Sequence, residues 1–352
     1  MCCKKFFEKL KSDRKTQMIF IVVLALVILG VFLIYYFATN KDSKRVRSQK
    51  GQAKLERQLD GVVVKKEETN LHVAAVIIEN LVDIRPQAGL QSAGVVYEAL
   101  AEGGITRFLA LFAGQKTDLL GPVRSMRPYY LEWCAEYSAL CTHIGGSPDA
   151  LQSISGLKIK DLNAMYESGY FWRDDSAPAP HNLFTKTDLL DLALRDKKLD
   201  KEEPGYTSWK FVDNAKMETR PTEEKFVKAE FSGADYGVEY KYDREKNTYL
   251  RFNGGIEHKD RNTDKQIEVK NVMVIKAPVQ GTGDDKGRID LSVTGEGKAY
   301  MFSNGQAYEG TWSKKDRDSR TYFYHDDGKE HEFVRGNTWV EIIPSDKGVD
   351  YK

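Results

Sequence analysis

The stretch YEALAEGGITRFLALFAGQKTDLLGPVRSMRP, residues 97–128, decides the fold of this chain. Its apolar residues continue two strand-like runs, 95–101 and 105–113, and the EGG sequence between the runs is typical of a tight turn. We therefore predict a β-hairpin here. The proline at position 128 then favours the first turn of a helix over residues 128–137, because the first helical position does not use the amide proton that proline lacks.

Strand and helix signals alternate around this hairpin. The runs HVAAVIIE at 72–79 and ALCTHI at 139–144 predict buried strands. Residues 187–199 predict a helix with an acidic residue in its first turn and basic residues in its last. This mixture indicates an α/β domain with a mixed sheet over residues 70–199.

A different pattern follows. Residues 200–224 are polar and contain two prolines, so we interpret them as a linker. Beyond them, short β-rich runs are separated by turn signals such as Asn253-Gly254 and Asn304-Gly305, and no helix is predicted. The pattern predicts an all-β antiparallel domain over residues 225–345.

The N-terminal segment has a different composition. Residues 18–38, MIFIVVLALVILGVFLIYYFA, contain no charged side chain, and about 20 apolar helical residues are enough to cross a membrane. We predict a single transmembrane signal anchor there, with a basic tail over residues 1–17 and a charged spacer over residues 39–69. A short basic N-terminus favours the cytoplasm, which would put the C-terminal domains outside the cell.

Charge is distributed unevenly along the chain. Residues 1–66 carry 15 Lys and Arg against 5 Asp and Glu, so from the totals of 53 and 52 the remaining residues carry 38 against 47. The body of the protein is therefore acidic, which argues against nucleic acid as a partner, because phosphate binding needs a positive surface. The basic flanks favour contact with an anionic membrane surface.

The four cysteines do not indicate a disulfide framework. Cys2 and Cys3 precede the apolar segment, on the predicted cytoplasmic side, where disulfides are rare. Cys134 and Cys141 are predicted to be buried and unpaired, as small apolar side chains.

Motifs along most of the chain resemble the YerB-like family of bacterial surface lipoproteins. These motifs are IEN…RPQAGL (78–90), VYEALAEGGITRFLALF (96–112), GPVRSMRPYYLEW (121–133), HIGGSPDAL (143–151), YFWRD…APHNLFT (170–185), YKYDREKNTYLRFNGGIEHKD (240–260), NVMVIKAP (271–278) and GTWSK…GNTWVEIIP (310–344). The resemblance implies an extracytoplasmic, two-domain protein of Gram-positive bacteria, in a family with no established activity. It also implies lipid anchoring through a lipobox cysteine, yet no cysteine directly follows residues 18–38, so the predicted helix would have to be the anchor.

Five residues form the candidate ligand-binding set. Arg124 and Arg127 follow a Gly-Pro turn near the start of a predicted helix, and Arg107 begins the neighbouring strand. Guanidinium groups near a helix N-terminus suit a phosphate, a carboxylate or an acidic glycan. Arg173 and Glu98 complete the set.

Each of these side chains also has a structural alternative, which the sequence leaves open. The arginines could pair internally with Glu98, Glu102, Glu132 or Asp83 and hold the loop to the sheet. Loop aromatics pose a similar choice between stacking on sugar rings and packing in the core: Tyr129, Tyr130, Phe171 and Trp172.

Asp174 and His181, in the loop YFWRDDSAPAPHN (170–182), are weak candidates for a catalytic acid or base. The loop matches no known metal-ligand spacing, so we predict neither a metal nor a cofactor. The sequence Gly-Gly-Ser at 145–147 is similar to a nucleophile elbow, but position 149 is Asp rather than Gly. Ser147 is therefore predicted to be a helix N-cap.

Together these features favour a membrane-anchored, extracytoplasmic protein of the cell envelope that crosses the cell membrane once. We expect a binding or scaffold module for an anionic or glycan wall ligand, or for an envelope protein partner, rather than an enzyme. The alternative is an enzyme acting on wall glycan or on a phosphorylated wall precursor. In that case the arginines would hold the anion, and Asp174 or His181 would move the proton.

Overall fold

The computed structural model describes residues 14–49, 55–175 and 177–352. The chain divides into two compact units, residues 1–54 and residues 55–352. The first unit contains helix α1 (Arg14–Gln49), which extends beyond the predicted apolar segment in both directions. Residues 1–13 of the predicted basic tail and residues 50–54 of the predicted spacer lie outside the described residues.

The prediction of a transmembrane signal anchor over residues 18–38 is wrong. Among the residues that the structure describes, no helix combines the length and the apolar character that crossing a membrane requires. The predicted fold class is therefore corrected by removing its transmembrane helix. The prediction that the chain crosses the membrane once also loses its support.

The helices of the second unit are short. The α-helices are α2 (Pro128–Glu136), α3 (Pro148–Gly156) and α4 (Thr187–Asp196). Single 3-10 turns cover Lys66–Glu68, Val82–Ile84, Leu90–Ser92, Glu102–Gly104, Ser168–Tyr170, Leu199–Lys201, Met217–Thr219 and Ala234–Tyr236. α2 starts at the predicted proline, and the Ser147 side chain accepts a hydrogen bond from the Ala150 amide, which confirms the predicted N-cap.

Strands make up most of the second unit. In chain order they are β1 (Ala74–Glu79), β2 (Val95–Leu100), β3 (Thr106–Phe112), β4 (Leu140–His143), β5 (Asp161–Asn163), β6 (Trp172–Arg173), β7 (Leu183–Phe184), β8 (Phe211–Val212), β9 (Phe226–Ala229), β10 (Val238–Asp243), β11 (Thr248–Asn253), β12 (Ile256–Glu257), β13 (Lys259–Asp260), β14 (Lys265–Gln266), β15 (Glu268–Val269), β16 (Asn271–Ala277), β17 (Val279–Gly281), β18 (Ile289–Leu291), β19 (Gly295–Ser303), β20 (Gln306–Lys314), β21 (Tyr322–His325), β22 (Phe333–Val334), β23 (Thr338–Pro344) and β24 (Val349–Tyr351).

A ten-stranded mixed sheet forms the centre of this unit, in the order β21-β20-β19-β16-β23-β2-β3-β1-β4-β5. The predicted hairpin is confirmed as β2 and β3, which pair antiparallel around Gly103 and Gly104, both with positive φ. β23 lies parallel to both β2 and β16. Strands from both predicted domains therefore share one sheet. Parallel strands need a long connection, so partners can come from distant parts of the chain.

A six-stranded sheet, β12-β11-β10-β9-β24 with β15 also paired to β11, is antiparallel as predicted for this part of the chain. Its buried side chains, such as Tyr240 and Tyr249, pack with one face of the ten-stranded sheet, represented by Val96 and Trp339. The opposite face packs against α2 through residues such as Trp133. The large sheet is thus covered on both faces, which accounts for its nearly continuous apolar strands.

The prediction that Cys134 and Cys141 are unpaired is wrong, since a disulfide joins them with their Cα atoms 6.0 Å apart. α2 ends at Glu136, and Ser138 adopts a positive φ of 49° that reverses the chain into β4. The reversal brings the last turn of the helix beside the second residue of the strand. The disulfide therefore fastens α2 to the sheet that it covers.

We expect the double substitution Cys134→Ala and Cys141→Ala to lower the free energy of unfolding by about 2.5 kcal/mol, the loop-entropy value for a short closed loop. Urea unfolding with and without a reducing agent measures the difference. The reducing agent should lower the stability of the parent protein and leave the variant unchanged. A parent protein that is equally stable under both conditions would contradict the disulfide.

Candidate functional site

The three arginines of the opening stretch lie at one edge of the large sheet. This edge is formed by strand ends, namely the last residue of β1 and the first residues of β3. Glu79, the last residue of β1, is the register partner of Arg107 on β3. The segment after Gly121 crosses the ends of these strands, with Val123 bridged to Ile78 and Met126 bridged to Gly146. This crossing carries Arg124 and Arg127 to the same edge. We call Glu79, Glu102, Arg107, Arg124, Arg127 and His181 the arginine cluster.

Glu102 joins two of the arginines. Arg107 Nη2 lies 3.1 Å from Glu102 Oε2, and Arg127 Nε forms an ion pair with Glu102 Oε1. Arg107 also donates to the carbonyl of Ser125 at 3.1 Å. Partial burial alone would raise the pKa of Glu102, but the hydrogen bond from Arg127 and the charges of both arginines hold this pKa below its ordinary value. Glu102 is therefore the anionic centre of this half of the cluster.

Glu79 joins the third arginine to a histidine. Its carboxylate lies 3.1 Å from Arg124 Nε and 2.8 Å from His181 Nδ1. The Glu79 side chain is buried, whereas Arg124 and His181 keep 19% and 24% of their side chains exposed. A molecule in solution could therefore reach the guanidinium and the imidazole. Glu79 is absent from the residues predicted from the sequence, although its position at the end of a strand in a mixed sheet is a known signal for site residues.

The arginines of the cluster are thus paired internally. Arg107 and Arg127 pair with Glu102, which the structural alternative named, and Arg124 pairs with Glu79, which it did not name. The positive and negative charges of these ion pairs do not balance, because three guanidinium groups pair with only two carboxylates, those of Glu79 and Glu102. With a neutral histidine, the cluster carries one formal positive charge in excess. An anion at this edge would neutralise that charge.

Arg173 and Asp174, two further predicted site residues, have other partners. Arg173 donates to Asn182 Oδ1 at 2.7 Å, and Asp174 forms an ion pair with Arg261 at 3.1 Å. Both contacts hold the β6–β7 hairpin in place. Of the two weak catalytic candidates, Asp174 and His181, the structure brings the histidine to the arginines.

Glu98 belongs to a different cluster, on the face of the sheet that packs against the six-stranded sheet. It is fully buried and forms an ion pair with Arg251 of β11. Arg251 Nη2 also lies 3.7 Å from Glu341 of β23, and its guanidinium stacks 4.4 Å from the ring centroid of Trp339. The structure therefore places Glu98 in the core, where it cannot contact a ligand of the arginine cluster.

This buried cluster holds two carboxylates against one guanidinium. Burial, and then the charge of Glu98, raise the pKa of Glu341 well above its ordinary value. Tyr240 donates a hydrogen bond to Glu341, and Arg251 donates to Tyr240 at 2.9 Å. A protonated Glu341 beside an ionised Glu98 leaves the cluster neutral, which is the least costly state for buried charges.

Three of the aromatic candidates, Tyr129, Tyr130 and Phe171, are core residues. Tyr129 and Tyr130 are buried, and their hydroxyls donate to backbone carbonyls of β2 and β3. Tyr166 is an exposed aromatic residue that was not among the aromatic residues predicted from the sequence. Its side chain is 84% exposed beside Met165, which is 64% exposed. Within the residues described, no group of side chains is arranged to hold a metal ion.

Comparisons with known proteins match this chain to a family of unknown function. The model described as the DUF3048 N-terminal domain matches residues 59–200, and the DUF3048 C-terminal domain matches residues 227–340. The putative lipoprotein YerB of Bacillus subtilis (strain 168) is 32% identical over 305 residues, which cover 83% of this chain and 87% of that protein. The crystal structure of the Bacillus subtilis YerB protein superimposes with a TM-score of 0.74 at 31% identity, covering 84% of this chain and 99% of that one.

We expect Glu341→Gln to be tolerated at neutral pH, because the amide resembles the protonated carboxyl. The raised pKa of Glu341 gives a contribution to stability that is complete below the unfolded value of 4.5 and is lost as the pH rises through the folded value. The variant lacks this loss. Its free energy of unfolding, relative to the parent protein, should therefore increase as the pH is raised above 4.5.

Urea unfolding at several pH values measures this difference. The substitution Glu296→Gln, at an exposed position on β19, serves as the control. A constant difference between the Glu341→Gln variant and the parent protein across the pH series would show that Glu341 is ionised in the fold.

Proposed function

Because this chain belongs to the DUF3048 family of YerB-like proteins, we propose that it is an extracytoplasmic cell-envelope protein that binds an anionic glycan. Two observations support the location. The Bacillus subtilis relative carries the name of a putative lipoprotein. The disulfide between Cys134 and Cys141 suits an oxidising compartment outside the cytoplasm.

The observation that carries the binding proposal is the charge imbalance of the arginine cluster. Three guanidinium groups share two carboxylates at one edge of the sheet, and Arg124 remains partly exposed. Guanidinium groups present paired N–H donors that match phosphate and carboxylate groups. A ligand anion would add hydrogen bonds to arginines that Glu79 and Glu102 already hold in position, so little conformational entropy would be lost on binding.

Tyr166 supplies a surface for the sugar part of such a ligand. Backbone hydrogen bonds connect its loop to the arginines: Ile144 donates to Arg124 at 3.2 Å, and Met126 donates to Gly145 at 3.1 Å. The Gly145 amide then donates to Asn163 Oδ1 at 3.0 Å, three residues before Tyr166. An exposed aromatic ring stacks on the apolar face of a sugar. The pairing of this ring with a cationic edge favours an anionic glycan over a simple anion.

An enzyme acting on the same ligand is the second candidate, and the contact between Glu79 and His181 favours it. A carboxylate hydrogen-bonded to Nδ1 orients an imidazole so that its Nε2 can accept a proton from a substrate. Arg124, on the same carboxylate, would hold the anion nearby. Under this alternative His181 is the general base and Glu79 its positioning residue.

Binding of the full-length protein to purified cell-wall polymers tests the proposal. We expect the double variant Arg124→Gln and Arg127→Gln to bind a phosphate-containing wall polymer at least about tenfold more weakly, since charge-assisted hydrogen bonds contribute about 1.5–3 kcal/mol each. Tyr166→Ala should weaken binding of the polymer and leave binding of inorganic phosphate unchanged.

The matched control is Arg317→Gln, an arginine of a loop far along the chain whose partner is Asp318. It should bind like the parent protein. Equal binding by the parent protein and the double variant, with both folded by circular dichroism, would contradict the proposal. Cleavage of the polymer that His181→Ala abolishes would establish the enzymatic alternative.

A further inference from the structure

A cavity of about 450 Å³ lies apart from the arginine cluster. The segment before β1, the loop after β3 and the C-terminal part of α4 form its walls. Its volume falls within the range of small-ligand pockets. None of the residues discussed above as candidate site residues lines it.

The cavity has a small apolar wall made by Leu71 and Leu194. Gly114 allows Leu71 to come close, because a Cβ at this position would lie 2.6 Å from Leu71 Cδ1. Gly114 also has a φ of 92°, which other residues rarely adopt. The close approach fixes the segment before β1 against the loop after β3, so the cavity is held open by the fold.

Charged side chains of both signs line the rest of the cavity. Lys116 is already neutralised by ion pairs with Asp188, at 2.9 Å, and with Asp191. Arg195, Glu68 and Asp200 are exposed, and none of these three side chains forms a salt bridge with another described residue. Arg57, which also lines the cavity, is paired with Asp60 at 2.8 Å, so the cavity presents one available cation and two available anions.

A buried histidine also lines the cavity. His72 has 6% of its surface exposed. Its Nε2 lies 3.5 Å from the Lys160 ammonium. Burial, and then the charge of Lys160, lower the pKa of His72 to about 4, so the ring is neutral at neutral pH.

We propose that this cavity binds a small zwitterion of the amino-acid or dipeptide class. Arg195 binds the carboxylate, and Glu68 and Asp200 bind the ammonium group. A simple anion would meet two unpaired carboxylates, and a simple cation would meet the arginine, so each is disfavoured by one half of the lining. The site is separate from the proposed glycan site and does not depend on it.

Calorimetric titration of the full-length protein tests the proposal with free amino acids and dialanine. Each bound ligand is compared with its N-acetyl form, which lacks the ammonium group, and with its amide, which lacks the carboxylate. We expect at least one zwitterion to bind at least about tenfold more tightly than both blocked forms, which corresponds to about 1.4 kcal/mol per lost charge contact. Arg195→Gln and Asp200→Asn should each weaken the same ligand.

Both substituted side chains are exposed, so the variants should fold like the parent protein. Lys201→Gln, an exposed neighbour that does not line the cavity, is the matched control and should bind like the parent protein. The absence of binding by any member of the panel at about 10 mM would overturn the proposal. Equal binding of the blocked forms, or unchanged binding by Arg195→Gln and Asp200→Asn, would also overturn it.

Discussion

The parallel pairing of β23 with β2 and with β16 is the constraint on which the rest of the structure depends. It places Val95 of the first half of the chain opposite Thr338 of the second half, at the middle of the ten-stranded sheet. A buried ion pair reinforces this junction from one face, since Arg251 of the six-stranded sheet reaches Glu98 of β2. Removing Arg251 would leave the carboxylate of Glu98 in the core without its guanidinium partner, which is far more costly than losing an exposed ion pair.

The candidate sites take their geometry from this sheet. The arginine cluster lies at the ends of β1 and β3, which pair directly with each other, and β3 also pairs with β2. α2 covers one face of the same strands, and the disulfide fastens its last turn to β4. A cluster built on strand ends and covered in this way is positioned more tightly than one on free loops, which suits recognition of a ligand with fixed charge spacing.

Structural features that depend on a few neighbouring residues could be predicted from the sequence. The turn at Gly103 and Gly104, the helix start at Pro128 and the cap at Ser147 each depend on a few neighbouring residues, and the structure confirms them. The three arginines were considered together because they lie within one stretch of the chain, and their role in binding a ligand stays a prediction.

Contacts between distant parts of the chain could not be predicted in this way. Nothing near Glu98 indicates that Arg251 will bury it, and nothing near Glu79 indicates that it joins Arg124 to His181. The disulfide between Cys134 and Cys141 depends on the chain reversal at Ser138, which the amino-acid composition does not reveal. The hydrophobicity of residues 18–38 led to the prediction of a membrane-spanning helix, which the structure of the described residues does not support.

Hydrogen exchange in increasing urea, followed by mass spectrometry, tests most directly whether the shared sheet makes residues 55–352 one cooperative unit. Peptides containing β2 and β3 should open with the same free energy, and the same dependence on urea, as peptides containing β16 and β23. Opening of β16 and β23 at lower urea, while β2 and β3 stay protected, would show that the two halves are separate folding units and would contradict the account.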